Sequence, residues 1–319
     1  MINENVEQMK RISYFKKIIV LAGICIFCSC NGYEYHTITI AIDDDCTLEQ
    51  QTAAYEIINK RLSIWEINEK TDLVDGKFDL TYRVGKQSNS NTDSLWTQIL
   101  TQRGEIFIAE AYLNTDIEWA LDKVYEKLFW LIENTDHKPL WRKYSLFQNG
   151  VRSGVPELIN VPLQQVPFID SIFNSCKHFF PEDISFVWTA KKKEGLFGLL
   201  AIKPTRLFPL NPNTVKSCKI DYHKYKHDGI LFDYQEISIE LEEDYIGKWR
   251  RMTRNNIDKN LAIVMDGKVC SYPTVNSEIP NGRLTISGNF ENNELWLIQL
   301  VILGGVLDCK AQIVNKEDK

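Results

Sequence analysis

Past Cys30 the sequence has no apolar run approaching the ~20 residues that cross a bilayer as a helix, so no transmembrane helix is expected there. It has no Cys-x-x-Cys pair, and the later cysteines (Cys46, Cys176, Cys218, Cys270 and Cys309) are scattered and odd in number. That spacing argues against a zinc ribbon and a disulfide framework, even in an oxidising compartment. These thiols are expected to be mostly small buried apolar groups, and melting is expected to be indifferent to reductant and chelator. Positive charge is in deficit: 37 Lys and Arg against 43 Asp and Glu give a net charge of −6. The basic footprint of a nucleic-acid binder is therefore not expected. There is no nucleophile motif, phosphate loop or dinucleotide fingerprint, and no internal repeat. The expectation is a non-enzymatic protein with no cofactor, no metal and no small-molecule substrate.

What is present begins at the N-terminus. Lys10, Arg11, Lys16 and Lys17 precede an apolar run over residues 18–27, and Ser29-Cys30 follows before the chain turns polar at Asn31-Gly32. That is the order of a secretory signal peptide. A cysteine behind a small residue resembles the cleavage site of bacterial lipoproteins, where the cysteine becomes the first residue and carries lipid. Residues 1–29 thus read as signal peptide, Cys30 as the lipidation site, and residues 30–35 as a lipid-anchored linker. Asn31, where an inner-membrane retention signal would often have Asp, favours the outer membrane facing the periplasm. Met1 and Met9 both stay open as the start.

Ile38, Ile40 and Ile42 alternate with Thr39 and Ala41, which predicts a strand. Asp43-Asp44-Asp45 interrupts it and lacks the glycine and spaced ligands of a calcium loop, so it reads as a solvated turn. Thr47 and Gln50 have capping-box spacing ahead of a helix carrying Ala54, Ile58, Leu62 and Trp65. Strands are expected around Phe78 and Leu80, after the Asp75-Gly76 turn, and over residues 106–111, with a brief helix over 95–100. Residues 116–132 predict a helix with Ile117, Leu121, Val124, Leu128, Phe129 and Ile132 inward, and 167–176 another. Residues 186–188 and 196–202 read as paired strands, 204–212 with its three prolines as irregular, and 219–228 as a polar connector. His223 and His227, four apart with Cys218 nearby, lack the helical periodicity that would make them a metal pair, and no zinc site is assigned. Residues 237–241 predict a strand, and 242–260 a helix with Tyr245, Trp249, Met252 and Ile257 inward. A last helix over 292–303 is stopped by Gly304-Gly305, and a strand over 307–314 follows. Helices interleaved with hairpins point to the α+β class.

Residues 261–290 are the most specific stretch. Ile263 and Met265 alternate with Val264 and Asp266, and Asp266-Gly267 can supply the positive φ values of a two-residue hairpin turn. Pro273 ends the returning strand, Pro280-Asn281-Gly282 is a second turn signal, and Leu284 and Ile286 alternate in a third strand before Gly288-Asn289. An apolar strand, Asp-Gly-Lys-Val, a Pro-x-x-Asn step and Ile-Ser-Gly-Asn-Phe occur here in order. This run resembles the SecD and SecDF family, auxiliary subunits of the Sec protein translocase. Lys60-Arg61-Leu62 and Arg103-Gly104-Glu105 match two earlier words of that family in the right order.

The resemblance implies a ferredoxin-like base subdomain with an inserted α+β head subdomain. The base would be residues 36–110 and 290–316, the head 111–289, and 317–319 a tail. It also implies contact with emerging preproteins, which family members couple to proton flow through membrane helices. Without such helices, the expected role is binding unfolded or translocating polypeptide, or an envelope partner such as Sec translocase components. Tyr272, Pro273 and Val275 beside the hairpin are the candidate contacts. The alternative is a structural or assembly lipoprotein that reuses the fold with no part in protein export.

Overall fold

A computed structural model describes residues 33–64, 72–85, 100–134, 156–190, 195–227, 230–288, 290 and 292–318. The signal peptide, Cys30, Trp65 and all but the end of the helix expected over 95–100 lie outside them. In chain order the elements are β1 (Tyr33–Ile42), α1 (Leu48–Ile64), β2 (Lys77–Gly85), β3 (Ile106–Ala111), α2 (Glu118–Asn134) and β4 (Glu157–Val161). Then come α3 (Val166–Ser175), β5 (Ser185–Trp188), β6 (Phe197–Pro209), β7 (Val215–His227) and β8 (Ile230–Leu241). The chain continues through α4 (Glu243–Asn255), β9 (Leu261–Met265), β10 (Lys268–Ser271), β11 (Arg283–Ser287), α5 (Asn292–Gly304) and β12 (Ala311–Asp318). Helices are set among runs of consecutive strands, β5–β8 and β9–β11 among them, and the chain is of the α+β class. It divides into two compact units, one of residues 1–105, 218–235 and 290–319, the other of residues 106–217 and 236–289.

The first unit holds an antiparallel sheet in the order β12-β1-β2. The alternation of β1 sorts its faces as period two requires. Ile38, Ile40 and Ile42 are buried on one side. On the other, Thr37 meets the Thr81 hydroxyl at 3.1 Å and Thr39 donates to Asp79 at 2.7 Å. Helix α1 starts at the expected capping box: the Gln50 amide donates to Thr47 Oγ1, and the Thr47 amide to Gln50 Oε1. It packs against α5, burying Ala54, Ile58 and Leu62 together with Leu295, Ile298 and Ile302 in the unit's core.

One expectation fails here. Cys46 and Cys309 form a disulfide with Cα atoms 6.3 Å apart across a sequence separation of 263 residues. Pairing of β1 with β12 sets Ile42 opposite Ala311, and the Asp43 amide donates to the Lys310 carbonyl at 2.9 Å. Only that register brings the two cysteines together. Cys176 and Cys218 are free and buried, as small apolar groups are.

In the second unit the sheet runs β10-β9-β3-β6-β4, with β5 also paired to β6. A parallel bridge between Thr189 and Val269 links the end of β5 to β10. Helices α2 and α3 cover one apolar cluster through Leu121, Val124 and Leu128, and Ile169, Ile172 and Phe173. A smaller cluster joins Ala109, Leu200, Ile202, Ala262, Val264 and Val269. Trp249 on α4 is buried against Phe208, with ring centroids 5.4 Å apart.

Several local expectations are also corrected. β6 continues through Pro204 to Pro209, because its partner strand β3 meets it again at Phe107–Ala109 beyond a bulge. The bulge tolerates the missing amide of Pro204, and Pro209 is the last residue of the strand. Residues 219–227 are strand, not connector, because β8 pairs with β7 in a sheet ordered β11-β8-β7. His223 and His227 therefore stand about 13 Å apart along a strand, too far for one metal ion. Phe129 and Ile257 face solvent. The last strand starts at Ala311, after a loop.

Candidate functional site

The hairpin block lies in the second unit. Met265 faces Lys268 across the turn, with Asp266 at φ 47° and Gly267 at φ 74°. Both values belong to a type I′ turn, which matches the twist of the flanking strands. A Cβ at Gly267 would meet nothing within 4 Å, so substitution there costs backbone strain alone. Gly267→Val should destabilise this unit by about 1–3 kcal/mol, and Asp266→Asn should be nearly neutral because Asn tolerates the same φ. Chemical denaturation of the two variants measures both. A harmless Gly267→Val would remove the turn from the account of this block.

The step after the hairpin is tied inward. Tyr272 donates its hydroxyl to Glu157, which also accepts from Asn160 Nδ2 at 3.1 Å. Burial first, and then the Glu157 carboxylate, push the Tyr272 phenol well above its usual range. Asn260 Nδ2 donates to the Tyr272 carbonyl at 2.9 Å, and the Leu261 amide to the Pro273 carbonyl at 3.1 Å. Val275 is buried and bridges Ile257. Of the three expected contact residues, Pro273 is exposed, Tyr272 is half-buried and Val275 is internal. The structure joins them as one strap but not as one surface.

Sequence reasoning passed over a polar cluster beside the β3–β6 bulge. Glu110, nearly inaccessible, accepts from Arg206 at 3.1 Å and faces Lys203 at 3.6 Å. The Lys203 ammonium lies 4.7 Å from the centre of the Tyr112 ring, and Tyr112 donates to Asp183 at 2.6 Å. Burial raises the Tyr112 phenol, and the hydrogen bond from Tyr112 lowers the Asp183 carboxyl. Each acid has a donor, so the cluster closes on itself. The arrangement pins a bulged strand, where an inward carboxylate would otherwise be left bare. No word in the sequence marks it, because its members are spread over residues 110–206.

Helix α2 carries the other feature that was missed. Its buried stripe of Leu121, Val124 and Leu128 leaves Trp119, Phe129 and Trp130 at 62%, 55% and 62% exposure. Trp119 stands edge-on to Phe179 at 5.6 Å. The three aromatics span roughly 16 Å of helix axis, interspersed with exposed Asp122 and Glu126. The signal was legible: Trp119 and Trp130 fall off the i, i+3, i+4 stripe. Among the described residues no group of three or more His, Cys, Asp or Glu is arranged to hold a metal ion, and no helix is long and apolar enough to cross a membrane.

The family described as "SecDF, P1 head subdomain" matches residues 219–309. Over those residues the chain is similar to the periplasmic head subdomain of SecD/SecDF. The protein translocase subunit SecD of Rhodothermus marinus is 35% identical over 81 residues, which are 25% of this chain and 13% of that protein. SecD of Sebaldella termitidis is 37% identical over 79 residues, 25% of this chain and 20% of the relative. The aligned stretch is thus no more than a fifth of either relative's length. A crystal structure of SecDF in its super-membrane-facing form covers 99% of this chain and 35% of that one, at 15% identity and a TM-score of 0.48. The SecDF head match begins inside β7, takes in the whole hairpin block and ends on Cys309.

Proposed function

We propose that the chain is a non-enzymatic lipoprotein of the cell envelope that binds unfolded or translocating polypeptide in protein export. The relatives are named protein translocase subunits, and preproteins or Sec translocase components are the partners this implies. The observation that carries the reading is the exposure of Trp119, Phe129 and Trp130 on α2. Large rings held on a rigid helix bind extended apolar segments at low entropic cost. Pro273 adds an exposed apolar edge in the same unit. The disulfide supports an oxidising compartment, the basic, apolar and small-residue order of residues 10–30 supports lipidation at Cys30, and Asn31 after it favours the outer membrane facing the periplasm. The β12-β1-β2 sheet with α1 and α5 supports a ferredoxin-like base, and the second unit an inserted head.

Binding is measured with a fluorescent, reduced and carboxymethylated polypeptide that cannot fold. Trp119→Ser/Phe129→Ser/Trp130→Ser should weaken it by about 10-fold or more, since exposed anchors contribute about 1 kcal/mol each, with melting unchanged. Equal affinity in the triple variant would remove α2 from the account. No binding by the parent chain would favour a structural or assembly lipoprotein instead. Cys30→Ala should accumulate a precursor that takes up no labelled fatty acid; normal labelling of that variant would end the lipoprotein assignment.

A further inference from the structure

The acidic triplet that the sequence offers as a mere turn lies directly before one half of the disulfide. Asp43, Asp44 and Asp45 precede Cys46, and Asp308 precedes Cys309, with Lys310 after it. Asp44, Asp45 and Asp308 are exposed, and the local backbone is fixed: the Cys46 amide donates to the Asp43 carbonyl at 3.2 Å, and the Asp45 amide to Asp43 Oδ1 at 3.2 Å. The two cysteines differ in access. Cys46 is half-buried, whereas Cys309 is 1% exposed.

From this placement we infer that Cys46 is a charge-guarded site of thiol–disulfide exchange, open to cationic and neutral thiols and closed to anionic ones. A thiolate attacks the Cys46 sulfur, the Cys46–Cys309 bond breaks, and Cys309 leaves as a thiolate that takes a proton from water. A second thiolate then attacks the external sulfur of the mixed disulfide and releases Cys46. Two external thiols are oxidised to one disulfide, and one cystine is reduced to two thiols. Both barriers have named causes. Four carboxylates against one ammonium repel an approaching anion, and the buried Cys309 thiolate is a poorly solvated leaving group. The clamp of the first unit is therefore selective about which reductants open it. A protein partner that exchanges with it needs a neutral or basic rim around its own thiolate. This inference stands apart from polypeptide binding by the second unit.

The test measures reduction of the intact protein by 2-aminoethanethiol and by mercaptoacetate. Each rate is divided by that thiol's rate with a small neutral disulfide, which removes differences in thiol acidity and nucleophilicity. The cationic thiol should be favoured on the order of 10-fold at 0.1 M ionic strength, falling to about 2-fold at 1 M as screening shortens the reach of the carboxylates. Asp44→Asn/Asp45→Asn/Asp308→Asn should bring the ratio near one at low salt; Asp43 is kept because its side chain holds the turn. Mass mapping of acid-quenched mixed disulfides should find the adduct on Cys46. A ratio near one in the parent protein at low salt, a ratio unchanged by the triple substitution, or an adduct on Cys309 would overturn the proposal. The salt series needs no variant, so a poorly folding triple mutant leaves it decided.

Discussion

Arg61→Leu should destabilise the first unit by about 3–5 kcal/mol, a larger loss than most single substitutions cause. Arg61 is fully buried. Its Nη1 donates to the Gln102 carbonyl at 2.7 Å, and its Nη2 to the carbonyls of Arg103 at 3.0 Å and Gly305 at 2.6 Å. Leucine would take the Arg61 donor from the Gln102 and Gly305 carbonyls, each at a cost of about 1–3 kcal/mol where water cannot replace it, while the Arg103 carbonyl keeps the Leu307 amide at 2.8 Å. Lysine cannot present the planar fork that reaches several carbonyls at once, so Arg61→Lys should recover little. The neighbours are cut to fit: a Cβ at Gly104 would lie 2.5 Å from Arg61 Nη2, and one at Gly304 would strike the side chain's Cγ. Gly104→Ala should therefore destabilise through the same contact. Urea denaturation followed by far-UV circular dichroism decides it. Arg61→Met as stable as the parent would show that the guanidinium's desolvation outweighs its bonds.

Reduction of Cys46–Cys309, or replacement of both by serine, should cost the first unit about 2–5 kcal/mol and lower its melting temperature by on the order of 10 °C. The closed loop of 263 residues sets an entropic ceiling of about 5–6 kcal/mol; residual structure in the unfolded chain keeps the yield below that. Both cysteines belong to the first unit, and the second lies within the loop they close, so on reduction the first unit's transition should fall further than the second's. Calorimetry with and without reductant reads both. Coincident transitions unaffected by reductant would mean that the cystine closes nothing of consequence.

The sequence by itself settled whatever depends on near neighbours. The β1 alternation, the Thr47–Gln50 cap, the Asp266-Gly267 turn and the buried stripe of α2 rest on periods of two or 3.6 and on turn chemistry. The family words were legible for the same reason, being short runs in fixed order. Tertiary structure alone decided the rest. Arg61 and Arg103-Gly104 read as two separate words, yet they are one contact, because the guanidinium fork ends on the carbonyls beside that glycine. Cys46 and Cys309 read as unpaired until β12 lies beside β1. The strand over residues 219–227 read as a polar connector because its partner β8, not its own pattern, makes it a strand. Glu110, Asp183, Lys203 and Arg206 carry no local signal, since a buried charge is tolerated only where distant cations arrive. Local chemistry is written in consecutive residues. Strand partnership and the pairing of buried charges and sulfurs depend on which distant segments meet, and that follows from packing the whole core.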